Sequence, residues 1–421
     1  MVVFGTILFT AFLFFLVLGI PVSFGLSIAS IGAIFQGGYP IAVIAQRMFN
    51  AVNTTSLMAI PLFMLAGSLM GHGGISRRII DFVLCIVGKY KGALAYVVAI
   101  TGVILGGISG SGVADTAAIG GIMIPQMKEK GYDASFSAAL TACSGAIGII
   151  IPPSITIIIY GCTVNASIGT MFMAAILPGI AIGVGFLIYS YFVAKKYNYP
   201  CAETVSGHEL WKRFKSAVWA LMMPVIILVG IRGGVFTPTE GGAVISVYAL
   251  LISFFVYKEL KLRDLPGIFL EAAISAATIG MIIAATSLFS WLLTSERIPT
   301  AITNWMIGLT DNSYLLLLLI NILLLFTGMF LDSGPAVMLL APILAPVAQA
   351  CGLSLETFGL VMVINLCMGL LTPPVGTAMY VSSNISGVGI PKLSRSLLPF
   401  LGIMFIVLML ITYIPGLTAW A

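Results

Sequence analysis

The sequence predicts an all-α polytopic membrane protein, and three observations carry that prediction: an extreme apolar composition, apolar runs of membrane-crossing length, and a glycine–proline pattern that recurs once. Of 421 residues, 60% are hydrophobic and only 8% charged, and the mean hydropathy is +1.15. With about 20 apolar residues needed per helical span, such a chain is expected to be one membrane domain, 1–421, with no soluble domain attached. The net charge of +5 sits in short connections and points to no nucleic-acid partner. The six cysteines form no CxxC pair and mostly fall in apolar runs, as small hydrophobes rather than ligands or disulfides. The start, MVVFGTILFTAFLFFLVLG, lacks a basic leader and a small-residue cleavage site, so it reads as a retained first helix.

Apolar crossings are expected at 2–35, 54–70, 135–160, 170–193, 217–230, 240–256, 267–293, 357–381 and 397–414. The first is long for one span, so part of it could lie along the interface. Two more stretches, 92–126 and 314–349, are too long for one span and are interrupted near the middle by Gly, Ser and Asp; both read as re-entrant hairpins. Lysine and arginine in short loops are retained on the cytoplasmic side. An amino terminus inside then places all of the 19 cations there except Arg47, Arg232 and Arg297. The carboxyl terminus falls outside.

The internal repeat follows from proline positions. A shift of 221 residues carries Pro125 onto Pro346, Pro152 and Pro153 onto Pro373 and Pro374, and Pro178 onto Pro399, with Gly107, Gly148 and Thr156 landing on Gly328, Gly369 and Thr377. In the expected topology the first hairpin opens from inside and the second from outside, so the copies are inverted: repeat 1 about 1–194, a loop and odd helix about 195–235, repeat 2 about 236–421. Inverted repeats with broken helices mark secondary transporters.

The chemistry concentrates at the interruptions. The first hairpin turns at GGISGSGVADT (106–116), offering flexible carbonyls, the hydroxyls of Ser109 and Ser111 and the carboxylate of Asp115; the second turns at TGMFLDSGP (327–335), with Asp332 and Ser333. Such hard oxygens suit a small cation, and irregular backbone at membrane depth is tolerated only against protein or a water-filled cavity. Small residues also serve helix packing; the pairing of the two turns favours an ion or substrate site. Each hairpin is followed by a double proline, GIIIPPSIT (148–156) and GLLTPPVGT (369–377), expected to split a crossing into half-helices that present carbonyls to a cation and N–H groups to a carboxylate. From 134 to 194 there is no charge, and from 298 to 391 only Asp311, Asp332 and Glu356. An organic anion therefore needs co-bound cations there, and a cationic substrate competes on charge alone. His72 and His208 read as surface residues, and no hydrolase, metalloprotease, Walker or dinucleotide motif is present, so enzymatic activity has no support.

Taken together, MAIPLFMLAGSLM (58–70), GGISGSGVADTAAIGGIMIPQMKEKGYD, the IPPS block, TPTEGGAV (237–244), MFLDSGPAVMLLAPILAPV and LLTPPVGTAMYV resemble the DctM-type large membrane subunit of TRAP (tripartite ATP-independent periplasmic) transporters, in order along nearly the whole chain. The resemblance implies a sodium-coupled importer of the bacterial inner membrane, similar to elevator-type carriers, in which a transport domain slides against a scaffold. It implies no cofactor besides Na+ as coupling ion. It also implies two partners: a small four-helix membrane subunit (DctQ-type) and a periplasmic substrate-binding protein (DctP-type). A first sodium site is implied at Ser109, Gly110, Ser111, Gly112 and Asp115 with Pro152 and Thr156, and a second at Thr327, Gly328 and Asp332 with Thr372, Gly376 and Thr377. The substrate, a C4-dicarboxylate, sialic acid, keto sugar acid or similar carboxylate, would lie between the tips near Ser111, Ser154, Ser333 and Pro373. The competing reading is a stand-alone ion-coupled anion carrier of the wider ion-transporter superfamily, which needs no binding protein; a channel or an intramembrane enzyme stands further off.

Overall fold

The computed structural model describes residues 8, 10–12, 14–15, 18–202, 206–310 and 312–418, and among them it is helical, without a strand. Residues 2–7, 9, 13, 16 and 17 of the crossing expected at 2–35, and Asp311, lie outside the described set. What is described of that crossing is not one rod: the chain turns at Gly19, φ +76°, and α1 (Val22–Gly37) starts after Pro21, where proline's fixed φ suits a helix start.

There follow α2 (Ala42–Val52), α3 (Ala59–His72), α4 (Ile75–Val87), α5 (Ala93–Ser109), α6 (Gly112–Glu129), α7 (Ala134–Ala146), α8 (Ile155–Val164) and α9 (Ile168–Tyr197). The second half holds α10 (Gly207–Arg232), α11 (Pro238–Leu251), α12 (Leu265–Ser295), α13 (Ile298–Leu309), α14 (Ser313–Gly328), α15 (Ser333–Ala350), α16 (Leu355–Gly369), α17 (Thr377–Ser386) and α18 (Ile390–Tyr413). Among the described residues, seven helices are long and apolar enough to cross a membrane. Side-chain caps start many of them: Asp133 accepts from Phe136 N at α7, Ser167 and Ser354 cap α9 and α16, and Thr237 and Glu240 form a reciprocal box at α11. Three helices, α2, α4 and α13, fall where the sequence suggested loops. In α4 the reason is amphipathicity: Ile75, Ile79, Ile80, Val83 and Val87 are buried while Arg77 faces out, a helical stripe that a search for uniformly apolar runs passes over.

Helix α12, 31 residues long and so about 46 Å at 1.5 Å per residue, is flanked by α1, α2 and α3, with α11 against α3 and α10 against α4. The remaining helices interlock in a crossed pattern: α6 packs on α17, α15 on α8, α7 on α18, and α16 on α9. The 221-residue register runs through these elements, since α6 and α15 begin and end at corresponding residues and α7 and α16 begin at corresponding residues. The Cys367 thiol donates to the Ala146 carbonyl at 3.0 Å across a separation of 221 residues. This bond joins α7 to α16 at positions that correspond in the register. Both helices are enclosed on every side, with Ser135–Ala146 and Thr357–Gly369 buried throughout, which explains why neither has an amphipathic stripe.

Of the cysteines, Cys143 and Cys367 are buried and Cys201 is exposed; all six are unpaired thiols. His72 and His208 are exposed.

Candidate ion and substrate site

Both double prolines break their crossings. The prolines offer no N–H to the carbonyls four residues earlier, so α7 gives way to a short 3-10 turn at Ile147–Ile149 and α8 restarts at Ile155; α16 stops at Gly369 and α17 starts at Thr377. Pro152–Pro153 and Pro373–Pro374 are cis.

Against the first break sits the first hairpin turn. Gly110, at φ +64°, links α5 to α6, and a Cβ there would lie 2.5 Å from the Pro153 carbonyl oxygen. A Cβ on Gly106 would lie 2.7 Å from Gly148 Cα, and one on Gly112 would lie 3.0 Å from Ala146 Cα. Backbone meets backbone because glycines leave no side chain between them. The turn then organises oxygens: Ser109 Oγ donates to Asp115 Oδ1 at 2.6 Å and accepts from Ser111 N at 3.1 Å. Asp115 is 3% exposed. Its other oxygen, Oδ2, has no hydrogen-bond partner among the described residues and lies only 2.3 Å from where a Gly148 Cβ would stand, so it faces the break. A cavity of about 170 Å³ opens beside this cluster, lined among others by Ser68, Ser109, Ser111, Asp115, Glu271 and Ser275.

The second turn is built on the same close packing with different chemistry. A Cβ on Gly369 would lie 2.4 Å from the Gly328 carbonyl carbon, and Val375 N donates to the Met329 carbonyl at 3.1 Å. Asp332 is the N-cap of α15, accepting from Ser333 N at 2.9 Å. The hydroxyls of Thr327 and Thr372 bond carbonyls within their own helices, Leu323 O at 2.9 Å and Met368 O at 2.7 Å. Gly376 is the N-cap of α17, and Thr377 Oγ1 is buried without a partner among the described residues.

The two halves meet where Thr156 Oγ1 and Ser333 Oγ lie 3.1 Å apart, both buried. Thr156 thus stands at the second turn rather than with Asp115, although the sequence grouped it with the first. Ser154 is fully buried; its hydroxyl donates to Ile149 O at 2.5 Å and accepts from Ile157 N, so it shapes the break rather than facing a cavity. Pro373 is half-buried. Two features escaped the sequence reading. Asn365 Nδ2 donates to Asn321 Oδ1 at 2.6 Å, a buried polar pair joining α14 to α16. A second cavity, of about 470 Å³, carries Arg47, Thr54, Thr163, Thr286, Ser287, Ser290, Trp291 and Thr294 on its wall. Its residues lie far apart in the chain, so no local motif announces it.

A buried carboxylate facing a broken helix inside a helical membrane body suits a multi-pass transporter. The chain belongs to the DctM family: the model for the tripartite ATP-independent periplasmic transporter, DctM component, matches residues 9–417. Relatives include an isethionate TRAP transporter permease protein DctMQ of Oleidesulfovibrio alaskensis, 39% identical over 98% of this chain and 65% of that one. A putative TRAP transporter large permease protein of Haemophilus influenzae is 43% identical over 89% of this chain and 93% of that one. A C4-dicarboxylate TRAP transporter large permease protein of Rhodobacter capsulatus is 36% identical over 98% of this chain and 97% of that one. These are permease subunits, and the chain is a transport protein rather than an enzyme. In fold it is similar to the Alcanivorax borkumensis YdaH transporter, with a TM-score of 0.63 at 14% identity over 90% of this chain and 87% of that one.

Proposed function

We propose that this chain is the translocating subunit of a sodium-coupled importer of a small organic anion in the bacterial inner membrane. The observation that carries this reading is Asp115 Oδ2, buried, facing a helix break and without a donor. A carboxylate oxygen taken out of water with no partner is costly by several kcal/mol. A bound sodium ion, met by Asp115, Ser109 and carbonyls of the break, relieves that cost and offsets the charge an anionic substrate brings. Sodium and substrate then need each other, which is the physical basis of symport. At the second turn Asp332, Gly328, Thr327, Thr372, Gly376 and Thr377 supply the oxygens of a second sodium site, and the substrate lies between the tips near Ser111, Ser333 and Pro373.

The permease receives its substrate from a periplasmic binding protein and works beside a small four-helix membrane subunit. The inverted repeats alternate access by moving α5–α9 and α14–α18 as one body against the helices around α12. The amino terminus is cytoplasmic and the carboxyl terminus periplasmic. The substrate is an acid of the kind named for the relatives, among them isethionate and C4-dicarboxylates. Proteoliposomes holding the chain with its small membrane subunit test the reading. Uptake is expected only with an inward sodium gradient and with binding protein outside. Equal uptake in sodium-free buffer at constant potential contradicts the coupling, and equal uptake without the binding protein favours the stand-alone carrier.

A further inference from the structure

The two cavities differ in the sign of the charge on their walls. Among the described residues, the one beside the first turn holds Asp115 and Glu271 and no basic side chain. The larger, among the described residues, holds Arg47 and no acidic one. Both border α12, the smaller at Glu271 and Ser275 and the larger from Ile283 to Thr294. The cavities thus occupy successive stretches of that helix, and Arg47 is among the few cations expected on the outer side.

The larger cavity has the features of an anion site. The Arg47 guanidinium lies 5.2 Å from the centre of the Trp291 ring, and that ring is braced edge-on by Tyr39, whose centroid is 5.3 Å away. Among the described residues no carboxylate lies within ion-pairing distance of Arg47: the nearest acid in sequence to this array, Glu296, accepts from Tyr39 Oη at 2.8 Å. On the same wall the Thr286 hydroxyl is buried, with the residue 3% exposed, and has no hydrogen-bond partner among the described residues. An orphan buried hydroxyl is rare and marks a missing ligand or water. The volume of about 470 Å³ lies in the range of small-molecule pockets, about 300–1,000 Å³. The far wall comes from the machinery of the two repeats, with Thr163 of α8 and Met338 and Pro342 of α15.

We propose that this cavity is an anion-receiving site, in which Arg47 and Thr286 take the acidic group of the transported molecule on the outer side before it meets the hairpin tips. The proposal rests on the reading that the substrate is an organic anion, and it supplies a positive charge that the stretches 134–194 and 298–391 lack. An arginine braced on an aromatic ring presents a fixed fork suited to a carboxylate or sulfonate. An anionic lipid headgroup offers the same chemistry, and the test separates the two.

Trp291 is itself the probe. In a background with Trp211, Trp219, Trp305 and Trp420 changed to Phe, its fluorescence is titrated with succinate and with isethionate at constant ionic strength, in nanodiscs of neutral phosphatidylcholine and without a sodium gradient. The expected result is a saturable response to either anion that weakens at least about tenfold in Arg47→Gln, returns in large part in Arg47→Lys, and is absent with neutral succinamide. No saturable response to either acid, an equal response in Arg47→Gln, an equal response to succinamide, or a response only when phosphatidylglycerol is added to the nanodiscs would each overturn it. Because the titration involves no transport, a failure of sodium coupling in proteoliposomes leaves this result standing and is told apart from it.

Discussion

The two hairpin turns each pack against a broken helix through glycine and differ in where the carboxylate sits. Asp332 corresponds in the 221-residue register to Ser111, and Asp115 corresponds to Ala336, so the acid has moved one helical turn between copies. In the first copy it is inside α6, 3% exposed and half satisfied by Ser109. In the second it caps α15 and is exposed. Of the glycines that bring turn and break together, Gly107 and Gly148 correspond to Gly328 and Gly369, whereas Gly106, Gly110 and Gly112 stand opposite Thr327, Leu331 and Ser333. The charge is placed differently at the two turns, once as a buried carboxylate and once as a cap.

The difference predicts unequal losses. Asp115→Asn keeps the shape and the Ser109 bond but removes the charge from a desolvated site, so uptake should fall about a hundredfold or more, following from ~3 kcal/mol for breaking a buried charge pair. Sodium-activated uptake in proteoliposomes, at matched protein content, checks this. A smaller and more telling contrast lies in the glycines. Gly148→Ala drives a methyl onto Asp115 Oδ2, whereas Gly369→Ala drives one onto the Gly328 backbone. The first should raise the sodium concentration for half-activation with little change in melting temperature; the second should lower yield and melting temperature, as overpacking costs ~1–3 kcal/mol. Equal behaviour of the two would erase the distinction drawn between the turns.

At the cap, Asp332→Ser preserves a capping oxygen while Asp332→Ala loses about 1 kcal/mol of helix-start stability. If Asp332 also meets sodium, both variants should raise half-activation several-fold and only Asp332→Ala should lower the melting temperature. Unchanged sodium activation in both would leave Asp332 a cap alone. The smallest effect is expected for Thr156→Val, which deletes one hydroxyl bond to Ser333 worth ~0.5–1.5 kcal/mol and should change uptake by about tenfold at most.

Much of this was legible in the sequence because its signals are local. Double prolines break helices wherever they stand, and glycine turns at membrane depth need shelter; hence the sites of Ser109–Asp115 and of both breaks could be read directly. The register of four prolines is matched by α6 and α15, which begin and end at corresponding residues. The helices that escaped, α2, α4 and α13, are short, and α4 carries Arg77, Arg78 and Asp81 in its first half, so it does not read as a uniformly apolar run. The contact of Thr156 with Ser333 was not legible because the crossed packing of α8 on α15 is a tertiary fact without a sequence signal. Arg47 escaped for the same reason: its placement over the Trp291 ring joins segments about 240 residues apart in the chain, and no spacing rule connects them.

The central claim is that the first turn is a sodium site completed by Asp115. Equilibrium binding of radiolabelled sodium to the purified chain tests it without substrate, partners or a gradient. The account predicts saturable binding in which Asp115→Asn loses one sodium ion per chain while Asp332→Ser retains it. Full sodium stoichiometry and affinity in Asp115→Asn would contradict it.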